Sequence, residues 1–172
     1  LPEIYALGLR EDQGLTIDPR TGNLWASSNG PKGGDELNIL RRGKNYGFPI
    51  ISYGHEYSGK PINDNLTAKE GLEQPVYFWT PSIAPSGIEF YTGDLFPRWR
   101  GDLFVSPMAA KYLIRLVLDK KRTRVVGEER LLAELDTSFR DVHTGPDGAL
   151  YVMTKKPMDG QILRLAPRRA AK

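Results

Sequence analysis

Three segments of the chain repeat one plan, and that repeat limits the fold more than any other feature. They read QGLTIDPRTGNLWASS (13–28), SGIEFYTGDLFPRWRGDLFVSP (86–107) and RDVHTGPDGALYVMTK (140–155). Each holds a short apolar strand, a turn with Gly and Pro or Asp, and a second strand. The turns DPRTGN and GPDGA carry the residues that tight hairpins need: Pro presets φ, Asp bonds its own backbone and Gly takes positive φ. A third strand candidate follows each pair: ELNIL (36–40), YLIRLVLD (112–119) and QILRLAP (161–167). TRVVGEERLL (123–132) reads as a fourth, outer strand. Units of four short strands every 40–50 residues or so have the spacing of propeller blades.

The expected fold is therefore all-β, with about three four-stranded antiparallel blades near 10–50, 82–132 and 138–167. A polar, Gly-rich insertion (53–75) between the first two is expected to form a long loop, a kind that is usually functional or mobile. No long helix is expected. Propellers close with about four to eight blades. Three blades leave open strand edges. The chain is thus expected to be part of a larger propeller or to assemble with a second copy.

Composition narrows the function. The 172 residues carry a formal charge of +3 with basic residues spread along the chain, apart from the RLAPRRAAK tail. No aromatic-plus-basic recognition motif accompanies that tail, so no nucleic-acid partner is expected. There is no cysteine, which removes disulfides, thiolate metal sites and a cysteine nucleophile. No apolar run reaches the roughly 18 residues of a membrane span. The sequence begins at Leu1 rather than Met, so any targeting segment is left open.

Few residues can carry chemistry. The two histidines, His55 and His143, lack a partner at metal spacing, which argues against zinc. Asp35 and Glu36 follow GPKGG and could serve a hard cation, or stand as solvated carboxylates at a strand start. Arg10 and Arg140 each precede a first strand. They could face an axial pocket and grip an anion, or pair with Asp12 and Asp141. Ser82 and Ser86 lack a G-x-S-x-G elbow and are poor nucleophiles.

GLREDQGLTIDPRTGNLWASSNGPKGGDELNILRRGKNYGFPIISYG resembles the soluble quinoprotein glucose/sorbosone dehydrogenases, closest to the bacterial aldose sugar dehydrogenases. PSIAPSGIEFYTGDLFPRWRGDLFVS and FRDVHTGPDGALYVMT match later parts of the same family. The resemblance implies the C-terminal half of a six-bladed propeller that oxidises sugars at the anomeric carbon with pyrroloquinoline quinone (PQQ) and calcium. By the same resemblance, the carbonyls of Gly30 and Pro31 hold the cofactor's calcium. Glu36 and the Tyr46 carbonyl hold a second, structural calcium. Arg10 and Arg140 bind the cofactor, and Trp79 and Ser82 lie in the loop that covers it. Family members place the protein in the periplasm or outside the cell.

The chain departs from the pattern at several points. Glu11 replaces an Asn, Ser28 and Asn29 replace Glu-His, and Ser138 replaces a second arginine. A cofactor lysine of the glucose-specific branch falls on Ala109, with Lys111 expected nearby on a strand. The catalytic histidine belongs to the family's N-terminal half, so no catalytic residue is expected here. These losses leave a rival reading, a propeller that has lost its enzyme site and serves as an interaction module.

Overall fold

The computed structural model describes residues 2–156 and 158–168. It holds three antiparallel sheets. Sheet 1 contains β1 (Asp12–Ile17), β2 (Leu24–Ser28), β3 (Asp35–Leu40) and β4 (Tyr77–Trp79), paired in that order. Sheet 2 contains β5 (Pro85–Phe90), β6 (Leu103–Pro107), β7 (Leu113–Leu118) and β8 (Val125–Leu131). Sheet 3 contains β9 (Ser138–Thr144), β10 (Leu150–Lys155) and β11 (Ile162–Leu165). One expected boundary and one expected strand count change. The first unit runs past 50, because its fourth strand lies beyond the insertion, where Leu37 of β3 pairs with Tyr77. The third unit has three strands among the described residues, so β11 is an open edge.

Period-two alternation explains the packing. Trp25, Leu37 and Ile39 point from sheet 1 towards Ile88, Phe90, Leu103, Val105, Ile114 and Leu116 of sheet 2. The alternate residues Phe104 and Leu113 point the other way, onto Phe139, Val142, Leu150 and Val152 of sheet 3. Sheet 2 is thus buried on both faces. β1 packs beside β5, and β5 beside β9, so the first strand of each sheet is the innermost. Gly14 and Gly87 permit this approach. A Cβ on Gly14 would lie 2.3 Å from the Ser86 carbonyl oxygen, and one on Gly87 would lie 1.9 Å from an Asp141 carboxylate oxygen.

Antiparallel order fixes which loops share an end. The entry to β1, the β2–β3 loop, the β4–β5 link, the β6–β7 loop and the entry to β9 all fall at one end of the strands. The insertion leaves β3 at the opposite end and climbs back, since His55 forms an antiparallel bridge with Lys32 of the β2–β3 loop.

Candidate functional site

Asp35 organises the shared end. Its side chain is fully buried, unlike the solvated carboxylate that sequence left open. It accepts from the Gly30 N–H at 2.8 Å, the Ser82 hydroxyl at 2.8 and 3.0 Å, the Ile83 N–H at 2.7 Å and the Ala84 N–H at 2.9 Å. Gly34 N–H donates to the Trp79 carbonyl at 2.8 Å. One carboxylate therefore pins the β2–β3 loop to the β4–β5 link. The carbonyl oxygens of Gly30 and Pro31, on the pinned loop, accept no hydrogen bond among the described residues. Such free carbonyls suit a hard cation.

Arg10, Gly30 and Glu36 share a crevice with Ser28, Asn29, Phe48 and Ser52, with about the room of one water molecule. Arg10 does not pair with Asp12. Its guanidinium donates to the Asn29 carbonyl at 2.9 Å and to Glu11 at 3.2 Å. The Asn29 side-chain oxygen is buried there without a partner. Burial pushes the Glu36 carboxyl up to about 7, against a hydrogen bond from Asn38 and with help from the charge of Asp12. Tyr46 does not line this crevice. Its ring packs on Ala26 and Leu40, and its hydroxyl donates to the Ile39 carbonyl at 2.5 Å.

Pro31 and Ser82 border a larger cleft of about 690 Å³ with Lys32, Gly33, His55, Tyr57, Gly59, Thr80 and Pro81. Trp79 turns away from it. The Trp79 ring lies in the core, and its indole N–H donates to Glu128 at 3.0 Å. Lys111 sits in the β6–β7 loop rather than on a strand, paired with Asp136 at 2.8 Å.

Arg140 borders a third cavity, about 390 Å³, between the innermost strands, with Gln13, Leu15, Ser86, Asp141 and His143. Its guanidinium donates to the Ser86 hydroxyl and points at the Met108 sulfur at 3.7 Å, not at Asp141. Both are neutral groups, so its charge is uncompensated by them.

In the same cavity His143 joins sheets 2 and 3. Its Nδ1 lies 2.5 Å from Glu89 and its Nε2 lies 3.2 Å from Asp141. The other Glu89 oxygen accepts from the Thr144 N–H at 2.5 Å. A neutral imidazole carries one N–H, so it can satisfy only one of the two carboxylates; the imidazolium satisfies both. Burial pulls the His143 pKa down, but the Glu89 hydrogen bond and the charges of Asp141 and Glu89 outweigh it and raise it. A raised folded value means that this contribution is full below the ordinary value of about 6.5 and is lost as pH rises through the raised one. His143→Gln should therefore cost stability at pH 6 and little at pH 9, as read by thermal melts. With the side chain 65% exposed, the effect should stay below about 1 kcal/mol. A cost independent of pH would refute the bridge.

These parts define a class: a half-propeller whose loops gather free carbonyls and arginines at one end. The sequence matches the Glucose / Sorbosone dehydrogenase family over residues 1–164, and the chain belongs to that family. Its three sheets are blades of a β-propeller. Aldose sugar dehydrogenase YliI of Escherichia coli is 41% identical over 169 residues, which cover 96% of this chain and 44% of that protein. The crystal structure of the soluble aldose sugar dehydrogenase from Escherichia coli, in the apo-form, superposes with a TM-score of 0.90 at 40% identity, covering 98% of this chain and 48% of the other. The PQQ-bound form of aldose sugar dehydrogenase from Streptomyces coelicolor gives 0.69 at 26% identity, covering 95% of this chain and 45% of the other. The chain thus spans about half the length of the relatives it matches.

Proposed function

We propose that this chain is the C-terminal half of a six-bladed quinoprotein that oxidises an aldose at the anomeric carbon to its lactone. The observation that carries the reading is the loop pinned by Asp35, with the uncommitted carbonyls of Gly30, at the crevice, and of Pro31, a residue that borders the larger cleft. PQQ is a tricarboxylate and acts as the two-electron acceptor when bound. The residues present fit it in two respects. Gly30 and Pro31 offer oxygen ligands for its calcium, and Arg140 offers a guanidinium held only by neutral partners. Ser82 orients the covering link through Asp35. Glu36 and the Tyr46 carbonyl are proposed for the second calcium, and Lys111 for a peripheral contact that would require it to leave Asp136.

No general base is assigned to this chain, so the base is proposed to come from the rest of the propeller, and the chain alone to be inactive. That remainder, or a second copy, would cover Leu15 and Ile17 of β1, which are 63% and 62% exposed. Among the described residues no helix is long and apolar enough to cross a membrane. By likeness to the relatives, the protein is proposed to be periplasmic or secreted.

One observation favours the interaction-module reading: Arg10 already spends its charge on Glu11. The test is reconstitution of the full-length protein with PQQ and calcium, followed by an aldose assay with an artificial electron acceptor. The proposal expects lactone from at least one aldose. No turnover with any aldose, despite bound cofactor, would favour the module.

A further inference from the structure

The insertion contributes a feature that the proposed cofactor site does not use. Residues 55–61 form a small hairpin. Glu56 N–H donates to the Lys60 carbonyl at 2.9 Å, Gly59 N–H donates to the Glu56 carbonyl at 2.8 Å, and the Ser58 hydroxyl donates to Glu56 at 2.9 Å. His55 N–H anchors the hairpin to the Lys32 carbonyl at 3.2 Å. These bonds hold the turn in shape, and it leaves Tyr57 outward with 74% of that residue exposed. The imidazole of His55 makes no hydrogen bond to the described residues. Both side chains line the 690 Å³ cleft, which also touches Pro31 and Ser82. That volume lies in the range of small-molecule sites.

We propose that this hairpin forms the outer wall of a sugar-binding subsite, with Tyr57 as a stacking platform and His55 as a hydrogen-bonding partner, so that both determine sugar specificity. The inference rests on the sugar-oxidising reading above. A pyranose has an apolar C–H face and a rim of hydroxyls. An amphipathic aromatic such as Tyr presents a broad apolar ring beside a polar tip, which matches the first. The ring nitrogens of His55 and the hydroxyl of Thr80 offer hydrogen-bonding partners, which match the second. Pro31 borders the cleft, so a sugar held there would lie near the loop proposed to hold the calcium. Tyr57 and His55 act on binding, not on the reacting bond.

The test uses the full-length protein in two states. With PQQ and calcium bound, Tyr57→Ala should raise KM for the aldose by about tenfold, leave kcat within about threefold, and leave PQQ affinity unchanged. Tyr57→Phe should keep most of the binding, and His55→Ala should change the ranking of aldoses. Unchanged KM and ranking in these variants would overturn the proposal. In the cofactor-free protein, saturation-transfer NMR with methyl α-glucoside at millimolar concentration should show transfer that Tyr57→Ala abolishes. If the protein takes no PQQ but shows this transfer, the sugar subsite stands and the dehydrogenase reading falls. Absence of transfer in the unaltered protein would overturn the subsite. Tyr57 is exposed, so these substitutions should leave thermal stability unchanged, which a melt checks.

Discussion

Asp35→Ala is expected to remove a large share of the protein's stability and to free the β4–β5 link from the β2–β3 loop. Three backbone N–H groups and one hydroxyl converge on this carboxylate, all within 3.0 Å. Alanine removes the acceptor that these donors share at a largely buried site, leaving the Ala84 N–H only the Ser82 hydroxyl at 3.2 Å. Each unsatisfied buried donor costs roughly 1–3 kcal/mol. Partial relaxation and water entry should bring the net loss to about 3–5 kcal/mol, against a typical total of roughly 5–15. Asp35→Asn should cost less, because one amide oxygen still accepts while the amide N–H₂ meets a donor. Urea unfolding measures the loss. Hydrogen exchange at Ile83 and Ala84 should accelerate in the alanine variant even where the protein stays folded. An unchanged midpoint with unchanged exchange would show that the carboxylate does not hold the two loops.

The second large effect is expected at Arg122. It lies in the β7–β8 turn, 6% exposed, and its guanidinium pairs with Asp18 of the β1–β2 turn, which is fully buried. It also donates to the Gly101 carbonyl at 2.8 Å and lies over the Phe90 ring at 4.9 Å. Arg122 therefore ties the outer turns of sheets 1 and 2 across the core between them. Arg122→Met keeps much of the volume but leaves the Asp18 charge buried and unpaired, a loss of about 3–5 kcal/mol. Adding Asp18→Asn should recover part of that, and the difference measures the coupling of the pair.

The pH dependence gives a separate check. Burial alone would raise the Asp18 carboxyl, but the hydrogen bonds from Arg122, Arg20 and Thr21 and the Arg122 charge hold it below its ordinary value. A depressed folded value gives stability that is present above the unfolded value and lost as pH falls through the folded one. Without Arg122 that depression disappears, because the buried carboxyl can take a proton. The gap between the unaltered protein and Arg122→Met should therefore narrow as pH drops below about 4. A gap that stays constant from neutral to acid pH would contradict the pair's role.

The blades were legible because their signals are local. Alternation and turn chemistry place β2, β7 and β10 within a residue or two, since each depends on neighbours a few positions away. β4 escaped for two reasons. It is three residues long, too short to alternate, and the insertion separates it from its partner β3. The same distance hid the orientation of Trp79, which follows from membership of that strand. Asp35 read as a solvated carboxylate or a cation ligand because its acceptor role depends on donors 47 to 49 positions away. Arg122 sat in an apparently ordinary KKRTR turn, and its partner lies 104 positions off. The pairing of Arg10 with Glu11 was visible in principle, as adjacent opposite charges. The family pattern marks Glu11 instead as a departure, since it stands where an Asn is usual.

Glu11 can either neutralise Arg10 or yield it to an anion. Arg140 has no such competitor among the groups it touches. The most direct measurement is calorimetric titration of the full-length protein with PQQ, with calcium and again with a chelator. Tight binding that needs calcium is expected, weakened at least about tenfold in Arg140→Ala, since a charge-assisted bond to a carboxylate contributes roughly 1.5–3 kcal/mol. No binding heat and no spectral change of the cofactor, with calcium present and the protein folded, would contradict it.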